Sequence, residues 1–266
     1  MENIEIYHRK RNTVAAFSYN ADDNKFGAWK VSIGDAIKRD PRWARYDGLI
    51  DEICLVYNGY HRLSGAAHSK LCSIIVVPDL IKALVRVETG PNAPGDAWEK
   101  RPMQIGNLGD KGLDDVLGTS PLRRKIFELI VPPEYRYIDY SSVRSHSKEN
   151  IIAGVAYILM SICTFATATF IVDEKTETTQ VTKELNNYSS LSRSVGSTVD
   201  TLLALNPNLN PNKLHIGDVV RFRKAERRMF IYSVEKLDCT LLARVYNVSG
   251  DARYAEKLSF IYDLLS

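Results

Sequence analysis

"IIAGVAYILMSICTFATATFIV" occupies residues 151–172, and the fold depends on how it is read. Its 22 residues carry no charge, which meets the length criterion for a membrane span. Yet it is dense in Ala, Thr, Ser and Gly. Its second part, "TFATATFIVD" (164–173), alternates Thr with apolar residues, as a strand does. Small and hydroxylated residues are tolerated in membrane helices too, so the span stays open as an alternative. The preferred reading is a buried helix over about 150–163 that runs into a strand.

Upstream, residues 1–40 are polar and irregular and read as an N-terminal arm or cap. An amphipathic helix is predicted within "DPRWARYDGLIDEICLVYNGYH" (40–61), because Tyr46, Leu49, Ile50, Ile53 and Tyr57 recur at three and four. A second helix ends at Glu88. A loop rich in Gly, Pro and Asn runs from Gly90 to Gly118, too long for a bare connector. Another helix is predicted near 120–131. Downstream the texture changes. Residues 173–188 are rich in Thr, Glu, Lys and Asn. "SSLSRSVGSTVDTLLALNPNLNPNKLHIGDVVRFRK" (189–224) then has a helix–turn–helix–strand rhythm. Leu191 and Val195 share one helical face; Val199, Leu202 and Leu203 share another. The whole makes a small βααβ unit. "LLARVYNVSGDARYAEKLSFIYDLL" (241–265) returns to helix, and no repeat of fixed period is visible. The fold class is α+β, mainly helical, with a small βααβ unit inserted.

Composition narrows the function classes. The 266 residues are 45% hydrophobic and 25% charged, with a net charge of +3. These are values for a globular chain, and the charge makes no case for nucleic acid. The basic run "RFRKAERR" (221–228) reads as a solvated face. The N-terminus lacks an apolar h-region, so no secretory signal peptide is expected. Cys54, Cys72, Cys163 and Cys239 show no CxxC or zinc-type spacing. Free thiols are the expectation, with no metal and no cofactor.

One carboxylate stands out. In "LVRVETGPN" (84–92), Glu88 lies four residues after Leu84 and seven after Ile81, so it ends an apolar helical face. Gly90 and Pro91 stop the helix just beyond it. Burial and the negative end of the helix dipole both disfavour its charged form. A carboxyl so placed suits general acid chemistry.

"GSTVDTLLALNPNLNPNKLHIGDVVRF" (196–222) resembles a LysM domain, through Gly-Ser-Thr, Leu-Asn-Pro and Ile-Gly-Asp ahead of the last strand. The resemblance implies binding of N-acetylglucosamine-containing glycans, chiefly peptidoglycan and chitin. It departs where the family has Gly-Asp-Thr-Leu; here "LNNY" (185–188) stands. The flanking sequence resembles the lysozyme-like lytic transglycosylases. The carrying segments, in order, are "ETGPN" (88–92), "RPMQIGN" (101–107), "NIIAGVAYIL" (150–159) and "VYNVSGDARYAEKL" (245–258). They span about 170 residues, with the LysM-like unit between the third and the fourth.

The resemblance implies Glu88 as the acid and base that cuts the β-1,4 bond between N-acetylmuramic acid and N-acetylglucosamine. It places Thr89, Met103, Gln104, Ile105, Asn107, Tyr157, Tyr246 and Asn247 along the substrate. Gln104 would hold the N-acetyl group, and Tyr246 would hydrogen-bond Glu88. Thr89 stands where the family has Ser, and Val248 and Ser249 where it favours Gly or small residues. A hydrolase needs a second carboxylate; the loop offers Asp96 and Asp110, neither at a position the resemblance marks. A transglycosylase manages with one, so that reading is preferred and hydrolysis stays open. The implied domains are an arm at 1–40, a catalytic domain at 41–175 and 226–266, and the LysM-like unit at 176–225. The order resembles bacterial muramidase toxins, including type VI secretion effectors. That implies synthesis in a bacterial cytoplasm and action in a target cell's periplasm or wall. A cognate immunity protein in the cleft and a secretion-machine component would be partners. The alternative is a non-catalytic peptidoglycan-binding or scaffold protein on a lysozyme-like fold.

Overall fold

The computed structural model describes residues 5–7, 23–68, 75–107, 111–247 and 250–266. The elements follow in chain order as β1 (Glu5–Tyr7), α1 (Asp23–Arg39), α2 (Asp47–His68), α3 (Pro78–Glu88), α4 (Ala97–Lys100), α5 (Gly112–Leu117), α6 (Pro121–Ile130), α7 (Tyr140–Ser145), α8 (Ser147–Ile162), β2 (Cys163–Ile171), β3 (Glu177–Gln180), α9 (Tyr188–Val195), α10 (Val199–Leu205), β4 (Val219–Phe222), β5 (Ala225–Val234), α11 (Cys239–Tyr246) and α12 (Tyr254–Leu265). The class is α+β. β1, β2 and β5 form one sheet in that order; β3 and β4 form a second. The chain divides into two compact units, residues 1–7 with 165–230 and residues 8–164 with 231–266.

In the larger unit α8 is the central helix. It is apolar on nearly every side, and Ile151, Ile152, Ala153, Val155 and Ala156 are fully buried, as a helix enclosed by protein requires. The helix stops at Ile162 and the chain turns extended at Cys163, φ −88° and ψ 141°. The Thr alternation drives that switch, since β-branched residues favour the pleated chain. Among the described residues, no helix is long and apolar enough to cross a membrane. The membrane-span alternative for 151–172 gives way to the helix-to-strand reading.

α3 begins with Pro78 at its first turn, where proline's fixed φ is already helical. Leu80, Ile81, Ala83, Leu84 and Val85 are buried. Arg86 is buried with them and is paired with Asp47 at 2.8 Å. Residues 40–61 differ from the single helix predicted. Pro41–Ala44 forms a short 3-10 turn capped by Asp40, and α2 starts only at Asp47. Residues 23–39 also differ from the irregular arm predicted. They form α1, whose Phe26 and Trp29 rings stack at 5.7 Å. Scattered charges on its wet face hid an aromatic edge. The segment 90–118 contains α4 and α5 rather than loop throughout. Among the described residues Cys54, Cys163 and Cys239 form no disulfide; Cys72 lies outside the described residues.

The smaller unit contains the βααβ segment. β3 and β4 pair antiparallel, Glu177 opposite Phe222 and Gln180 opposite Val219. Asn187 caps α9 by accepting from the Ser190 amide, and Thr198 caps α10 by accepting from the Thr201 amide. Gly196 ends α9 in the left-handed region at φ 64°, where a Cβ is disfavoured. Val181, Tyr188, Leu191, Leu202, Val220 and Phe222 make the core. A separate cluster of Ala166, Ala168 and Phe230 lies on β2 and β5, with Phe170 edge-on to Phe230.

Candidate functional site

α3 delivers Glu88 at its last residue, half-buried. The next residue, Thr89, is extended and closes the helix by donating its N–H to Val85 O at 3.0 Å. The Thr89 hydroxyl is buried and has no protein partner among the described residues. Gly90 is a packing requirement: a Cβ there would stand 2.4 Å from the Trp43 ring. The indole therefore fixes how the chain leaves Glu88.

The Glu88 carboxylate accepts a hydrogen bond from the Tyr254 hydroxyl, at the first residue of α12. Burial, and then the neighbouring Glu88 charge, push the Tyr254 phenol far up from its ordinary range. It stays protonated and serves as a donor. The Tyr246 hydroxyl has one proton, and it goes to Met103 O at 2.6 Å. Tyr254, eight residues beyond the tyrosine singled out in the sequence, thus donates to Glu88, and Tyr246 donates to the neighbouring segment.

That segment, 101–107, is fixed from below. Asn150 is fully buried at the start of the central helix. Its Oδ1 accepts from Met103 N at 3.0 Å, and its Nδ2 donates to Ile105 O at 2.9 Å and to Val143 O at 3.0 Å. One turn on, Gly154 lies against Met103, where a Cβ would meet Sδ at 2.4 Å. Met103 and Ile105 are buried at 0% and 3% exposure. Their side chains therefore support the segment as core and do not line a surface. Gln104, between them, adopts φ 54°, a left-handed conformation uncommon for a side-chain-bearing residue. Its Nε2 donates to Arg101 O at 2.6 Å, and its Oε1 accepts from Asn107 Nδ2 at 3.0 Å. Gln104 and Asn107 are thus partly committed to each other and to the loop.

Tyr157 is edge-on to Tyr246, with centroids 5.7 Å apart. Asn247 closes a turn with Asp251, accepting from its N–H at 3.0 Å and donating to its carbonyl at 2.7 Å. All four motif segments are brought together by contacts between named residues. Asp96 meets these segments only at their edge, 3.6 Å from the Arg101 guanidinium. It is exposed and bonded to Lys100 at 2.7 Å, and that bond holds its carboxyl below the usual range. Asp110, Val248 and Ser249 lie outside the described residues. Among those described, no cluster of three or more His, Cys, Asp or Glu side chains is placed to hold a metal ion.

Sequence reasoning missed Asn150, Gly154 and Tyr254 as individual residues. All three stand inside segments it singled out. Tyr254 was the second tyrosine of "VYNVSGDARYAEKL", and nothing local distinguishes it from the first.

In the βααβ segment, Asn206 ties α10 to β4. Its Oδ1 accepts from Arg221 N at 2.8 Å, and its Nδ2 donates to Arg221 O at 2.7 Å and Leu202 O at 2.8 Å. Asp218 accepts from His215 N at 2.8 Å, beside Gly217 at φ 95°. The departing "LNNY" stretch supplies the α9 cap at Asn187 and a core residue at Tyr188, whose hydroxyl is buried without a protein partner among the described residues.

No curated protein and no solved structure matches the chain. Residues 183–223, which carry α9, α10 and β4 of the βααβ segment, match the LysM domain family.

Proposed function

We infer that the protein binds peptidoglycan through the LysM domain and cuts its glycan strand with Glu88. The LysM match supports the binding half. One observation supports the cutting half most strongly: Glu88, at a helix end, receives the Tyr254 hydroxyl. The Tyr254 donor fixes where the carboxyl points, and a positioned carboxyl is what proton transfer requires.

The bond cut is the β-1,4 link between N-acetylmuramic acid and N-acetylglucosamine. Protonated Glu88 gives its proton to the leaving oxygen. The resulting carboxylate then takes the proton of the muramic acid 6-hydroxyl, which closes on C1 as a 1,6-anhydro sugar. Atoms balance without water. The ion-paired state of Asp96 supports this one-carboxylate route over hydrolysis. The segment order, with the LysM domain set between the third and fourth motifs, supports a role as a secreted antibacterial toxin. An immunity protein over Glu88 belongs to that reading.

The test is a digest of purified peptidoglycan by the wild type and by Glu88→Gln, read by mass spectrometry. Anhydro-muropeptides are expected from the wild type, falling by a factor of about 100 or more in the variant. Reducing-end products would make it a hydrolase. Binding without products from either protein, on several peptidoglycan types, would leave the non-catalytic binding role.

A further inference from the structure

The geometry points to helix α1 as a latch that positions Tyr254 on Glu88, through the stacking of Arg253 on Phe26. Its catalytic consequence rests on the glycosidase reading above.

α12 begins at Tyr254 and has no side-chain cap. Its first turn is therefore held by other means. The Arg253 N–H donates to Asp251 Oδ1 at 2.9 Å, and Lys257 reaches Asp251 Oδ2 at 2.6 Å. Both cations then lie over rings of α1. The Arg253 guanidinium is 4.8 Å from the Phe26 centroid, and Lys257 Nζ is 5.3 Å from that of Trp29. Such contacts attract a cation to the ring face. Lys30 Nζ lies 4.4 Å from the Phe26 centroid and 5.7 Å from that of Phe260, and Phe26, Trp29 and Lys30 stand at i, i+3 and i+4 on one face of α1. Further along, Trp29 meets Phe260 at 6.0 Å. A Cβ on Gly34 would touch Phe260 and Leu264 at 3.7 and 3.9 Å. α1 thus follows α12 from its first turn to its last.

Phe26 is 8% exposed. It touches the residue directly before Tyr254, so a shift of that residue moves the phenol relative to Glu88. α1 lies outside every segment that carries the catalytic resemblance. It is a positioning element of the site rather than a detachable arm.

The experiment uses the full chain with Phe26→Ala and Arg253→Met. Arg253→Met keeps the apolar stem and removes the cation. On purified peptidoglycan both variants should lose about tenfold or more in kcat, with KM within about twofold. Phe26→Tyr should restore kcat, since its ring face is kept. In a Tyr254→Phe background, Phe26→Ala should cause no further loss, because the two act on one contact. Unchanged kcat, or the same factor lost in both backgrounds, would overturn the latch. Hydrogen exchange supplies a readout independent of turnover. The Tyr254 and Lys257 amides, which donate to Asp251 O and Arg253 O, should exchange faster in both variants while those of α3 do not. Unchanged exchange at α12 overturns the latch even if the wild type proves inactive, an outcome that defeats the glycosidase reading alone. If Phe26→Ala fails to fold, Arg253→Met carries both readouts.

Discussion

The two units satisfy their polar groups in different ways. In the LysM domain the capping and core side-chain bonds are short in sequence, while the exposed Arg223 side chain reaches back 47 and 49 residues to Thr176 and Glu174. Asn187 reaches three residues to Ser190, Thr198 three to Thr201, and Asn206 fifteen to Arg221. Around Glu88 they are long. Tyr254 reaches back 166 residues to Glu88, Tyr246 back 143 to Met103, and Asn150 back 47 to the Met103 amide. A local bond forms whenever its own segment folds. A bond across 166 residues forms only when the whole unit has closed, after loop entropy has been overcome. Damage to a buried group on that side should therefore spread, whereas damage to a cap should stay local.

The largest effect on stability is expected at Asn150. Asn150→Ala leaves the Met103 N–H and the Ile105 and Val143 carbonyls without their partner in a fully buried place. Each stranded group costs roughly 1–3 kcal/mol, so a loss of about 3–5 kcal/mol is expected in urea unfolding. Exchange protection should fall across 101–107 as well as along α8. A loss below about 1 kcal/mol would show that the long-range bonds do not hold the unit, and the contrast with the LysM domain would collapse.

This difference of range also governs what could be read in advance. The LysM core was legible because Leu191 and Leu202 belong to helices whose caps and stop signals lie within a few residues. Glu88 was legible for the same reason, since Leu84, Gly90 and Pro91 mark its helix end locally. Tyr254 was not. Whether Tyr254 meets Glu88 depends on how α12 crosses α3, and no spacing within 245–258 encodes that. α1 was missed for a related reason. Phe26, Trp29 and Lys30 read as scattered residues until α12 supplies the surface that they cover.

The next effect is a pH dependence. His61 is buried beside Tyr57 and Tyr60, with Nε2 3.0 Å from Ile130 O, 69 residues away. Burial lowers its pKa from 6.5 to about 4. Below pH 6.5 the unfolded chain takes up a proton that the folded chain refuses until about pH 4. Stability is therefore lost as pH falls through that window, by about 3 kcal/mol over its whole width. Between pH 7.5 and 5, above the range where carboxylates titrate, Tm should fall. His61→Gln, which keeps a donor for Ile130 O, should flatten the slope. An equal slope in both proteins would place the pH dependence elsewhere.

Gly154→Ala comes next. The new Cβ would lie 2.4 Å from Met103 Sδ and 3.1 Å from Met103 Cβ. The thioether end can swing aside, but Cβ is held by a backbone bonded at both its N–H and its carbonyl. Overpacking of this kind costs roughly 1–3 kcal/mol, and replacing a helical glycine returns about 1. A net loss of up to about 2 kcal/mol is expected. In a Met103→Ala background the same change should become neutral or stabilising. A loss that persists there would place the clash on some neighbour other than Met103.

The smallest effect tests the local side of the comparison. Asn187 accepts from the Ser190 amide at 2.9 Å, and its backbone carbonyl receives the Ser190 hydroxyl at 2.9 Å and the Leu191 amide at 3.0 Å. Asn187→Ala removes this side-chain acceptor together with an exposed donor bond to Asn186 Oδ1 at 3.0 Å. Cap losses of this type cost about 1 kcal/mol, and the exposed amide can turn to water. Exchange should therefore quicken over 188–191, with α10 and β4 little changed. Asn187→Asp keeps an acceptor at the positive end of the α9 dipole and should recover most of the loss. If Asn187→Ala instead loosens the whole LysM domain, the local cap is coupled to the Asn206 bonds across α10 and β4. Its short-range bonds would then act together, and range in sequence would no longer separate the two units.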